Sequence, residues 1–287
     1  MRLATFLIVV TFVVSANAQM ASYGYEDVQV AKSKFAVAEE FDASHKDAPI
    51  GETLAAVGRS FIGVDYQAHT LDAPGPEMLV AYLGGLDCMT FVEASLCLTR
   101  VSRKGDPTFD DYLAELRLVR YRDGAIDGYP SRLHYFCDWI RDNESKGIVE
   151  DVTEKIGGVP YEPNVGIMTA KPDRYEKLKN NPEFLERMRE IEATVNAREY
   201  HYIPQDKIAE AEPNIMEGDI LAMATSIEGV GVGHTGVAVR GDDGRIHFLH
   251  APQTGTKIQI TEKPLADYVA SVETHVGVIV VRPLPVE

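Results

Sequence analysis

The chain has 287 residues, with 28 Lys and Arg against 44 Asp and Glu and a formal net charge of -16. An acidic balance of this size argues against nucleic acid or an anionic membrane surface as partner, because both recruit a basic face. Three cysteines are too few for a disulfide framework, and their odd number leaves at least one thiol unpaired.

At the N-terminus, Arg2 precedes an apolar run over residues 3–14, followed by Ser15-Ala16-Asn17-Ala18 with small residues where a signal peptidase reads. Residues 1–18 therefore read as an export leader. The run is too short to span a membrane and no later stretch approaches the length needed, so the expectation is an exported chain, periplasmic or extracellular, with no membrane insertion after cleavage. Residues 19–46 read as a polar N-terminal arm with a weakly helical stretch near Val28 to Lys32, and 47–287 as a single domain free of repeats and Pro-rich linkers.

Leu54, Val57 and Phe61 fall at helical spacing within 51–62. A short apolar piece at 78–83 then delivers the chain to a helix running from Cys88 to about Arg103, and Pro107-Thr108-Phe109-Asp110 opens another whose apolar side is Tyr112, Leu113, Leu116 and Val119. Ser131 is the expected cap of a helix with the stripe Leu133, Phe136, Cys137 and Ile140, closing at Gly147. Arg132, His134, Tyr135 and Asp138 fall outside that stripe. Asn180-Asn181-Pro182-Glu183 begins a further helix. After Tyr202 short β-like runs take over at 219–224, 234–239, 245–250, 257–260 and 275–281. Helices first and strands later predict an α+β domain.

Cys88 stands where the turn Leu83-Gly84-Gly85 opens into a helix, with Asp87 as a candidate cap. A thiol in a helix's first turn meets the positive end of the macrodipole and unsatisfied N–H groups, which favour the reactive thiolate. The ordinary alternative is a small buried hydrophobe. Cys97, nine residues on, falls on the opposite side of the same helix and reads as core, with a Cys97–Cys137 disulfide left open.

The segment 234–250 reads as a β-hairpin. With Gly241-Asp242-Asp243 as a three-residue loop and Gly244 left-handed, paired residues sum to 484 and His234 faces His250. Gly236, Ala238, Ile246 and Phe248 share that face, which could receive the Cys88 helix. Cysteine catalysis needs a base and a third polar group that holds the base in the right tautomer. Cys88, His234 and His250 fill these roles. His247 alternates to the other face, and without an HExxH pattern or a cysteine quartet no metal is expected.

The stretches Leu86-Asp87-Cys88-Met89-Thr90-Phe91-Val92-Glu93, Gly218-Asp219-Ile220, His234-Thr235-Gly236-Val237-Ala238-Val239 and Phe248-Leu249-His250-Ala251 resemble the NlpC-type cysteine hydrolases, a branch of the papain-like fold. With Ser131-Arg132-Leu133-His134-Tyr135, Asp138-Trp139-Ile140 and a tyrosine at position 66, the chain more closely resembles the N-acetylmuramoyl-L-alanine amidase-like family. The resemblance implies a helical N-terminal half, the nucleophile at a helix N-terminus, and a C-terminal antiparallel sheet or partial barrel. It implies a secreted hydrolase without cofactor that cuts an amide in the peptide part of peptidoglycan or a muropeptide, with Cys88 as nucleophile, His234 as base and His250 as orienting residue. Tyr66 would add an oxyanion or substrate contact and Arg132 would bind a substrate carboxylate. Ser131 and Tyr135 would line the substrate, and Asp87 would cap the helix or touch substrate. Met89-Thr90 follow the cysteine where Ser-Gly is common in NlpC-type enzymes, which leaves both the sugar-to-L-alanine amide and the γ-D-glutamyl bond open. A catalytically silent wall-binding module and an acyltransferase or lipid hydrolase are the readings from other classes.

Overall fold

The computed structural model describes residues 21–286, so the expected leader at 1–18 lies outside the described residues. In chain order the elements are β1 (Ala21–Ser22), α1 (Tyr25–Ser44), α2 (Ile50–Arg59), β2 (Leu79–Val80), α3 (Cys88–Arg103), α4 (Phe109–Arg120), α5 (Phe136–Ser145), β3 (Val149–Asp151), β4 (Val159–Tyr161), α6 (Ile167–Ala170), α7 (Glu176–Lys179), α8 (Pro182–Asn196), β5 (Tyr200–Pro204), α9 (Ile208–Ala211), β6 (Ile220–Thr225), β7 (Val232–Arg240), β8 (Ile246–His250), β9 (Gln259–Ile260), α10 (Leu265–Ala270) and β10 (His275–Pro283). Helices dominate the first two thirds and strands the last, an α+β arrangement.

The strands order as β4-β5-β10-β6-β7-β8-β9, all neighbours antiparallel, and β3 pairs with the C-terminal part of β10. β1 and β2 form a separate parallel pair. The centre of the sheet is covered on both faces, since every residue of β6 and β8 is buried.

α3 is the helix around which the rest is arranged. Every residue from Thr90 to Ser102 is buried, and α1, α2, α4 and β7 all pack on it. Its polar groups are matched accordingly: Arg120 Nε donates to Glu93 Oε2 at 2.7 Å and Arg100 Nε to Glu115 Oε1 at 2.6 Å. Buried charges persist only when paired in this way.

The segment expected to be a polar arm contains the 20-residue helix α1, whose Ala31, Phe35 and Ala38 enter the main core. A narrow stripe of small residues between charged ones carries little helical periodicity, so the sequence shows it only as a weak helical stretch. Ser131 does not cap a helix. It ends a 3-10 turn over Tyr129–Ser131, where its Oγ donates to Gly128 O at 2.7 Å and accepts from the Asp127 N–H. Arg132 is extended, the Leu133 N–H goes to Arg120 O at 3.0 Å, and α5 starts only at Phe136. Asp138, outside the apolar stripe, is buried and takes Arg122 and Arg198. All three cysteines are free; Cys97 and Cys137 belong to different core clusters, so the disulfide left open is not formed.

The hairpin register differs from the expected one by two residues. Arg240 pairs with Ile246 and Val237 with Leu249, and the loop is Asp242-Asp243-Gly244 with Gly244 at φ 78°. A shift of two keeps every side chain on its face, whereas a shift of one would have inverted the strand.

The turn before β6 is pinned by backbone contact. Gly218 has φ 81°, its N–H donates to Ala238 O at 2.8 Å, and a Cβ there would lie 1.7 Å from Gly51 O. Asp219 beside it accepts from Arg282 Nε and Nη2 at 2.9 and 2.8 Å. Gly218→Ala therefore combines a left-handed backbone with a direct clash, and its expected cost is about 3 kcal/mol or more. Thermal unfolding of that variant tests this, and an unchanged Tm would contradict the contact.

Candidate active site

Cys88 is the first residue of α3 and Asp87 is its N-cap. Asp87 Oδ1 accepts from the Thr90 N–H at 2.8 Å, and Thr90 Oγ1 accepts from the Asp87 N–H at 2.9 Å. Oδ1 of the aspartate is thus engaged at the helix start. The residue is partly exposed, and its sulfur sits beside β7, where the backbone N–H groups of Thr235, Met89 and Cys88 itself favour a thiolate. Burial and the Asp87 carboxylate act the other way and win, so the thiol is pushed up to about 12. The helix-start N–H groups thus act in the expected direction, and burial outweighs them.

His234 and His250 lie on the same sheet face, and His234 Nε2 stands 2.7 Å from His250 Nδ1. Their rings meet edge to face at 5.0 Å, with Phe248 against both. The contact is diagonal across the strands, made possible by the register described above. A β-bulge between β6 and β7 falls at Met223/Ala224, opposite Gly233, immediately before His234. Bulges re-aim the adjoining side chain. Burial lowers the pKa of His234 to about 3 and of His250 to about 4, His250 adding to the effect on His234 and His275 to both. Burial thus favours the neutral form of the thiol and of both imidazoles alike.

Neutrality fixes the proton positions that catalysis would require. For His234 to accept a proton at Nδ1, its Nε2 must carry hydrogen and donate to His250 Nδ1, and His250 must then be protonated at Nε2. His250 is an acceptor in that arrangement. It holds the ring without adding a negative charge.

Tyr66 is drawn to the same place: it bridges to Leu86, and its hydroxyl is pushed up to about 12 by burial first and then by Cys88 and Asp87. Tyr268, from α10, is likewise raised to about 12 by burial and Cys88, and its ring packs on His250 at 5.3 Å. Nothing in the sequence spacing singles out Tyr268, which arrives from a short helix outside every motif. His275 was read only as a strand residue. It lies at a second bulge, between His275 and Gly277, and its Nδ1 is buried without a hydrogen-bond partner.

The remaining sequence candidates separate. Arg132 lines a cavity of about 770 Å³ that also touches Met89, Tyr129, His134, Arg174 and Lys177. Its guanidinium donates to Leu71 O at 3.2 Å and Asp72 Oδ1 at 3.4 Å, lies over the Tyr129 ring, and has Nε 3.3 Å from Glu77 Oε1 without hydrogen-bond alignment. His134 in the same wall has its pKa lowered to about 3 by burial and then by Arg132, and its Nε2 stands 2.8 Å from Tyr129 O. Ser131 is tied into its own turn. Tyr135 is buried, donating to Glu192 Oε1 at 2.6 Å and accepting from the Met168 N–H at 3.2 Å, and it lines neither this cavity nor the histidine pair's. Among the described residues, no group of three or more His, Cys, Asp or Glu is arranged to hold a metal ion.

The sequence profile of the N-acetylmuramoyl-L-alanine amidase-like family matches residues 56–278. The chain belongs to this family. Among solved structures it is similar to an N-acetylmuramoyl-L-alanine amidase from Bacteroides uniformis, at 34% identity and TM-score 0.78, covering 82% of this chain and 98% of that one. A Bacteroides fragilis protein provisionally named a xylanase is similar at 34% identity and TM-score 0.74, covering 78% and 98%. A Legionella pneumophila protein at 19% identity and TM-score 0.62 shares the fold. No curated protein matches the chain. For the family member described here, α3, β7 and β8, which carry Cys88, His234 and His250, all fall inside the matched span.

The neutral resting site makes a kinetic prediction. Because the thiol is raised to about 12, the thiolate fraction rises with pH throughout the accessible range. Alkylation of Cys88 by iodoacetamide should therefore accelerate about tenfold per pH unit from 6 to 9. A flat rate across that range would mean a thiolate–imidazolium pair instead.

Proposed function

We propose that the protein is a cysteine amidase that hydrolyses an amide in bacterial peptidoglycan, the bond between the muramoyl group and L-alanine. Cys88 is the nucleophile, His234 the base and His250 the residue that orients it. The single observation that carries this reading is the 2.7 Å contact between His234 and His250, on the strand whose Thr235 N–H meets a helix-start thiol. Membership in an amidase-like family and likeness to a protein named for this bond support the choice of substrate. On this reading the helix-start nucleophile on an antiparallel sheet is an NlpC-type, papain-like arrangement, and the leader marks the chain for export to the periplasm or beyond the cell.

The chemistry follows from the resting protonation. The thiol proton passes to His234 Nδ1 as Cys88 Sγ attacks the carbonyl carbon, so no standing thiolate is needed. The tetrahedral oxyanion accepts from the Cys88 N–H at the start of α3, with the Tyr66 hydroxyl as a second donor. Collapse breaks the C–N bond, and the leaving amine takes the proton from His234. His234 then deprotonates a water that attacks the thioester, releasing the carboxylic acid and restoring the thiol. Hydrolysis of a xylan glycosidic bond would instead use two carboxylates flanking the substrate, and a thiol with two imidazoles has no part in it.

Mass spectrometry of purified muropeptides digested by wild type and by Cys88→Ala tests the reading. Wild type should release the intact stem peptide with a free L-alanine amine, and Cys88→Ala none. His250→Ala should lower kcat by about 10²–10⁴, as expected when the base loses its tautomer. Cleavage after the γ-D-glutamyl residue would move the activity to an endopeptidase, and no cleavage of any muropeptide would end the proposal.

A further inference from the structure

The histidine pair also lines a cavity of about 550 Å³ whose other walls have no part in the amidase chemistry above. His234, His250, His275, Tyr268, Lys263 and Glu262 are among its lining residues. Two of these are buried groups with hydrogen-bonding capacity to spare. His250 is 2% exposed, and with Nδ1 taken by His234 the nitrogen it has left for the cavity is Nε2, the one that carries the proton in the competent tautomer. His275 is 7% exposed and its Nδ1 has no partner. A buried polar atom left unmatched calls for an explanation, and a bound group is one of the ordinary ones. Lys263 and Glu262 are exposed at the rim, and neither forms an ion pair among the described residues.

We propose that this cavity binds a carboxylate carried by the amine half of the substrate, held by His250 Nε2–H, His275 and Lys263. The assignment rests on the amidase reading. Its direction comes from the chemistry: the leaving amine must take its proton from His234, so the half of the substrate that departs lies on the histidine side, where this cavity opens. In a stem peptide whose glutamate is linked through its γ-carboxyl, the α-carboxylate is free and belongs to that half. Cysteine and serine triads commonly end in an amide or carboxylate that steadies the base. Here the third member is a neutral imidazole, and the substrate's own carboxylate at Nε2–H would supply the missing negative charge. It would favour the imidazolium that His234 becomes during attack, so the site is activated by the substrate that fits it.

The test compares two muropeptides that differ at one group, the free glutamate α-carboxylate and its carboxamide. Wild type should cleave the acid at least tenfold faster in kcat/KM, and Lys263→Ala and His275→Asn should each collapse that preference toward one. Lys263 is exposed, so its substitution keeps the test open if His275→Asn fails to fold. Calorimetric titration with L-alanyl-γ-D-glutamate and its carboxamide gives a readout independent of turnover, and the acid should bind at least tenfold tighter to wild type. Equal cleavage and equal binding of acid and amide would overturn this inference while leaving the amidase intact. Failure to cleave either muropeptide would overturn the amidase reading and this inference with it.

Discussion

The near-complete burial of α3 is the constraint on which the rest depends. A helix enclosed on every side must have its charges matched, and the Glu93–Arg120 and Arg100–Glu115 pairs do this from α4. It must also end at a surface for its first residue to react with anything. The turn after the parallel β1–β2 pair delivers that end, tied down by the Leu83 N–H donating to Asp27 on α1 at 2.7 Å. Rigid enclosure fixes the position of the thiol at that end.

The same enclosure sets the site's electrostatics. Position in a helix's first turn and three nearby N–H groups draw the thiol toward ionisation, while low local polarity and the Asp87 cap oppose them. The cap is a compromise, since the group that anchors the helix start also repels a thiolate beside it. On the proposed mechanism, the proton is passed between Cys88 and His234 during reaction rather than settled beforehand.

Much of this was legible in the residues, and the reasons differ from element to element. The start of α3 follows from the Gly-Gly turn and the Asp87 cap, and its course from apolar residues such as Phe91, Val92, Leu96, Leu98 and Val101. Face-sharing of His234 and His250 survived an incorrect loop assignment because parity alone decides it. Ser131 failed as a cap because a cross-chain bridge between Tyr121 and Arg132 claims the backbone that a helix would have used. Arg132 was identifiable as a binder of carboxylates, yet Asp72 and Glu77, far away in sequence, already attend it. Tyr268 and His275 carry no local pattern at all. Their nearness to the histidine pair is created by the crossing of β10 beside β6 and the fold-back of α10, neither of which short-range periodicity can encode.

The separation of the three thiols has a practical side. Cys97 and Cys137 are sealed in different cores, and Cys88 alone is open to small reagents. A thiol-directed oxidant thus meets one accessible cysteine, the exposed Met216 thioether being another open sulfur, and Cys88 has no neighbouring thiol that could rescue it by exchange. Titration of accessible sulfhydryls in the folded chain therefore counts Cys88, and any oxidation during storage lowers that count.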